Sequence, residues 1–127
     1  MPFMAEPIRL FIIDDHADVR RALVAKLSGI RAILVVGETG EADTGMRELQ
    51  AIHPDVVLVE MKRTDGRGLE IVSGIARNGL AQRVIVLTSY PSDWERWAAH
   101  RAGAVDYLLK DIDSTVLVDR IRAVAAV

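Results

Sequence analysis

Pro54-Asp55-Val56-Val57-Leu58-Val59-Glu60 sets four consecutive apolar side chains between a proline turn and a carboxylate. A short run of this kind, rich in β-branched residues, reads as a strand buried on both faces, as in a parallel sheet covered by helices. Working outward, residues 8–13, 32–36, 84–87 and 105–109 have the same character and length. Each is followed by a longer stretch with helical spacing, over residues 19–27, 42–52, 69–77, 93–102 and 114–126. Five strand-then-helix units in succession predict one α/β domain over residues 1–127, its core about 7–126, with a parallel sheet between two helical layers.

Local signals punctuate these units. Ser92 and Glu95 form a capping-box pattern before the fourth helix. Asp113 or Ser114 can cap the fifth, and Gly29, Gly79 and Gly103 fall where helices should stop. Half of the 127 residues are hydrophobic, enough for one core. The net charge is −2 with the basic residues scattered, so this domain alone is expected to bind no nucleic acid. Cysteine is absent, which excludes disulfides, thiolate-bound zinc and a thiol nucleophile. The apolar runs are short of a membrane span and the start has no signal-peptide stretch, so a cytoplasmic domain with no membrane contact is expected.

Sheets of this kind carry their sites at the carboxyl ends of the strands. Asp14-Asp15-His16 follow the first strand, Glu60 the third, Thr88-Ser89 the fourth and Lys110-Asp111 the fifth. Three acids on one rim repel one another and need a compensating charge, from a hard divalent cation or from Lys110. Carboxylates, a hydroxyl and an ammonium together suit phosphoryl transfer to a carboxylate.

In this order and spacing, Asp14-Asp15, the strand ending at Glu60, Gly68-Leu69-Glu70, Thr88, Ala102-Gly103-Ala104 and Tyr107-Leu108-Leu109-Lys110-Asp111 resemble the receiver domain of two-component response regulators. The Tyr-Leu-Leu-Lys-Asp ending is similar to the subfamily that usually carries a C-terminal helix-turn-helix output domain. The resemblance covers about residues 7–126. It implies a flavodoxin-like (βα)5 three-layer sandwich with strand order 2-1-3-4-5. It implies Mg2+ held by Asp14, Asp15, Glu60 and the backbone carbonyl of Lys62. Thr88 would be the switch hydroxyl, Tyr107 the rotating aromatic and Lys110 the phosphate-pairing lysine. The implied partners are a sensor histidine kinase or another signalling protein, or a second copy of the chain, which is either a complete single-domain protein or a receiver excised from a longer regulator.

The chain departs from that pattern at the acceptor. The family carries aspartate where Glu60 stands, and Arg63-Thr64 and Arg67 replace Met-Pro and an acid in the next loop. Glutamate is about 1.5 Å longer, more than in-line attack tolerates. Glu60 is therefore expected to be a poor acceptor that reaches toward Lys110 or Thr88 and partly imitates a phosphorylated aspartate, in a switch module rather than an enzyme. Lys62, Arg63 and Glu60 itself are candidates to fill the cation's place. The alternatives are weak phosphorylation of Glu60 or of Asp65, and a phosphatase-like α/β hydrolase, whose Asp-x-Asp spacing Asp14-Asp15-His16 breaks. A flavodoxin-type cofactor site would want a phosphate loop after the first strand, where the acids stand.

The remaining candidates are blander. His16 reads as an ordinary residue at the start of the first helix, and His53 and His100 carry no pattern. Trp94 and Trp97 lie three apart on the fourth helix. Trp97 is expected to pack inward and Trp94 to be partly exposed. The face of the fourth helix, fifth strand and fifth helix, where receivers commonly dock partners or dimerise, is expected to use Trp94.

Overall fold

The computed structural model describes residues 6–81 and 83–126. Its elements alternate without exception: β1 (Ile8–Ile13), α1 (Ala17–Ser28), β2 (Ile33–Thr39), α2 (Ala42–Ile52), β3 (Val56–Glu60), α3 (Gly68–Arg77), β4 (Arg83–Thr88), α4 (Asp93–Ala102), β5 (Asp106–Leu109) and α5 (Ser114–Ala125). All four strand pairings are parallel, in the order β2-β1-β3-β4-β5. The expected three-layer architecture and strand order are therefore observed. The reading of the chain's start falls partly on residues 1–5, outside the described residues.

Strand alternation divides the core in two. Phe11, Ile13, Val57, Val59, Val84 and Val86 face one way and pack with Leu49, Ile71, Val72, Ile75 and Ala99 from α2, α3 and α4. Leu10, Ile12, Val56, Leu58, Ile85 and Leu87 face the other way and pack with Leu27, Leu117 and Ile121 from α1 and α5. Chain direction across the sheet reverses between β1 and β3, the topological switch point of such folds.

Two expectations about the strands and helices need correction. β2 runs on through Gly37 to Thr39, because its register against β1 shifts between Leu10 and Phe11 and leaves Val36 as a bulge. Gly37 there backs onto the Phe11 ring, where a Cβ would come within 2.4 Å of Cε2. Trp97 is 59% exposed, not packed inward. Helical periodicity gives the reason: α4 turns Glu95, Ala98 and Ala99 to the core, which sends Trp94, Trp97 and Arg101 outward.

The helix ends mostly follow the sequence signals. Asp113 caps α5, accepting the Thr115 N–H at 2.8 Å. His53 has a role that sequence did not show: it ends α2 in the left-handed region at φ 49°, and the Arg9 guanidinium bonds its carbonyl. Gly103 ends α4 at φ 118°, and a Cβ there would lie 2.4 Å from the Ala76 methyl of α3. Gly103→Ala is expected to lower stability by about 1–3 kcal/mol from crowding, with left-handed strain of about 1–2 kcal/mol added. Urea unfolding measures the loss.

Candidate functional site at the carboxyl ends of the strands

Strand registry delivers the site residues to one rim. Ile13 lies level with Val59, Glu60 with Leu87, and Thr88 with Leu109. Asp14 and Lys110 stand one residue past these pairs, still in the ladder, through Asp14 N–H to the Thr39 carbonyl and Lys110 N–H to the Thr88 carbonyl. Alternation then sorts the side chains. Asp14, Glu60 and Lys110 share parity with the α1/α5 side of the sheet, whereas Thr88 and Tyr107 share parity with the α2–α4 side.

The Lys110 ammonium lies 2.8 Å from Asp14 Oδ2 and 2.7 Å from Glu60 Oε2, bridging the two buried carboxylates. The contact to Glu60 is an ion pair without hydrogen-bond alignment. Glu60 Oε1 accepts the Lys62 backbone N–H at 2.7 Å. Of the two expected directions Glu60 therefore takes the one toward Lys110. Burial pushes the Glu60 carboxyl above the usual glutamate range, and Lys110 and the Lys62 amide pull it back without cancelling the effect. Burial works against the Lys110 ammonium as well, but its two carboxylates outweigh that and hold it above the ordinary lysine value.

His16 joins the cluster, which sequence did not reveal. Its Nδ1 lies 3.0 Å from Asp14 Oδ1, 3.3 Å from Asp15 Oδ1 and 3.4 Å from Lys110 Nζ. Arg20 donates to the Asp14 carbonyl at 2.6 Å and pairs with Glu38. Thr64 holds Asp15 Oδ2 through its N–H and hydroxyl, at 2.9 and 3.0 Å. Burial pushes the Asp15 carboxyl up, but the Thr64 donors and nearby Arg63 win and hold it below the usual range. The Lys62 and Arg63 side chains have partners of their own. The Lys62 ammonium turns to Glu95, and Arg63 is tied to Asp65 and the Gly40 carbonyl. Lys110 and His16 stand against the acids instead. No sequence signal marks Arg20 or Thr64, whose partners lie 6 and 49 positions away.

Donor chemistry fits a hard divalent cation. Asp14, Asp15 and Glu60 offer oxygens, and Asp15 Oδ1 is buried with no hydrogen-bond donor. Asp14, Asp15 and His16 each bring a ligand atom within 4.8 Å of the others.

Residues 10–122 match the family described as the response regulator receiver domain. This chain belongs to that family. The receiver is 35% identical over 119 residues to the DNA-binding transcriptional activator DevR/DosR of Mycobacterium tuberculosis, covering 94% of this chain and 55% of that protein. It is 36% identical over 116 residues to the transcriptional regulatory protein LiaR of Bacillus subtilis, covering 91% and 55%. Among solved structures, a two-component response regulator of the LuxR family from Aurantimonas sp. SI85-9A1 superposes with a TM-score of 0.86 at 27% identity, over 95% of this chain and 86% of that one. The receiver thus spans about half the length of the curated relatives it matches. Among the described residues no helix is long and apolar enough to cross a membrane.

Removing the ammonium would leave two buried carboxylates facing each other. Lys110→Met is expected to cost about 3–5 kcal/mol near neutral pH. The folded chain binds the Glu60 proton more tightly than the unfolded chain does, so acid favours the fold at this residue. Without the ammonium, burial and Asp14 raise the Glu60 carboxyl further, so protonation relieves the variant more than the unaltered protein and the cost of Lys110→Met should shrink toward about pH 5. Urea unfolding of both proteins across that range, in metal-free buffer, checks the sign.

Proposed function

We propose that this receiver is a signalling switch that works without phosphoryl transfer, its Glu60 carboxylate partly standing in for an aspartyl phosphate. The observation that carries this is the fixed Glu60 head group, one oxygen on Lys110 and the other on the Lys62 amide. A nucleophile whose two oxygens both face protein donors in a buried site is poorly placed for in-line attack. The imitation is incomplete, since a carboxylate has one charge and two oxygens. Thr88, on the other parity of the sheet, receives the Tyr90 N–H instead.

In this reading Lys110 pairs with the acidic group at position 60, Thr88 is the switch hydroxyl and Tyr107 the mobile aromatic. Asp14 and Asp15, with Glu60 and the Lys62 carbonyl, would hold Mg2+, which when bound neutralises negative oxygens in the pocket. The domain turns over no external substrate. Its partner is a sensor histidine kinase or another signalling protein. Relatives named as transcription regulators suggest a DNA-binding output for the whole protein. The alternatives of weak acceptor chemistry find less support, since Asp65 is taken up by Arg63 and the Arg67 amide.

A second surface supports partner docking or a homodimer on the face of α4, β5 and α5. Trp94 is 67% exposed and Trp97 stands beside it. A groove of about 560 Å³ runs along Arg96, Trp97, Arg101, Val105 and Tyr107. Large exposed aromatics are common interface anchors.

Incubation with acetyl phosphate and Mg2+ is expected to leave residue 60 unlabelled, while Glu60→Asp gains a phosphoryl group there; phosphate on Glu60 in a mass-spectrometric digest of the unaltered protein would end the proposal. For the docking face, Trp94→Ala should reduce the oligomer mass or partner retention seen by light scattering, and unchanged values would remove Trp94 from the interface.

A further inference from the structure

Glu95 is a carboxylate on the inner face of α4, 7% exposed, with no place in the pocket described above. Burying it would cost several kcal/mol unless it were paired. It has two partners. Tyr107 donates its hydroxyl hydrogen to Glu95 Oε1 at 2.6 Å, and the Lys62 ammonium lies 3.3 Å from Oε2.

The same residues form an altered helix cap. In an ordinary capping box the N-cap serine accepts from the backbone N–H three residues on, and the glutamate there reaches back to the serine N–H. The first half is present: Ser92 Oγ accepts the Glu95 N–H at 3.0 Å. The return half is not direct. Ser92 N–H donates to the Tyr107 hydroxyl at 3.3 Å, and that hydroxyl donates on to Glu95. A phenol from β5 is thus inserted into the cap of α4. Arg96, next along the helix, lies over the Tyr107 ring 4.9 Å from its centroid, closing the outer side. The other end of the chain of contacts is Glu60, because the Lys62 whose ammonium holds Glu95 also gives its backbone N–H to Glu60 Oε1.

We infer that Tyr107 is a working member of the α4 cap, with Glu95 its positioning residue, so that outward movement of Tyr107 and loosening of the first turn of α4 are one event. Lys62 links that event to the side chain at position 60. The inference rests on the reading of Tyr107 as the mobile aromatic, and it names what holds that aromatic inward in this chain: a helix cap.

Amide hydrogen exchange followed by NMR tests it on the intact protein, with no phosphoryl donor present. Ser92 N–H should exchange about ten times faster in Glu95→Ala and in Tyr107→Phe, the upper end of the range for loss of one neutral hydrogen bond. The Val86 amide, in the central part of the sheet, should keep its rate, which separates a local cap from general destabilisation. Glu95→Gln keeps an acceptor for the phenol and should restore most of the protection. Lys62→Ala should give a smaller acceleration than Glu95→Ala. An unchanged Ser92 rate in folded Glu95→Ala overturns the inference. If Glu95→Ala does not fold, Tyr107→Phe decides: faster exchange at Ser92 supports the cap and an unchanged rate overturns it. Phosphate appearing on Glu60 would instead overturn the proposed function and leave the exchange result standing.

Discussion

A strand buried on both faces can send its side chains in two directions only, and that constraint organises this receiver from core to site. Alternate residues of β1, β3 and β4 supply two separate apolar layers. Where the strands end, the same alternation continues into polar residues. It gathers Asp14, Glu60 and Lys110 on the α1/α5 side and leaves Thr88 and Tyr107 on the side of α2–α4. Glu60 reaches Lys110 and not Thr88 because it is the next even step after Val56 and Leu58.

Parity also explains why so many charges coexist in so little space. Lys110 pairs with two carboxylates at once, and its position one residue beyond β5 is fixed by the backbone bond to Thr88. The net effect is a site whose acids are paired from within by the Lys110 ammonium, with the His16 ring beside them. A buried ion pair of this type contributes little net stability against an apolar alternative, whereas removing one partner is costly because it strands the other charge.

The fold was largely legible in the sequence, because five apolar runs separated by helical periods admit few other arrangements. Convergence on one rim was legible for Asp14, Asp15, Glu60 and Lys110, which stand at strand ends, whereas Thr88 ends its strand facing the other side. It was not legible for His16, Arg20 and Thr64, whose roles depend on loop paths and long-range distances that local pattern does not encode. The extension of β2 was hidden for a similar reason, since Gly37 reads as a breaker until the Phe11 ring behind it is seen. For Trp97 the apolar character of the residue misled, while the spacing of Glu95, Ala98 and Ala99 held the correct answer. Ser92 and Glu95 announced a cap, but nothing local could announce that a residue of β5 would enter it.

Both tryptophans of the chain sit on α4, and both face solvent. The intrinsic indole emission of this domain therefore arises from a single helix. Its wavelength and its quenching by small solutes report on that helix alone, without a label and without interference from the sheet.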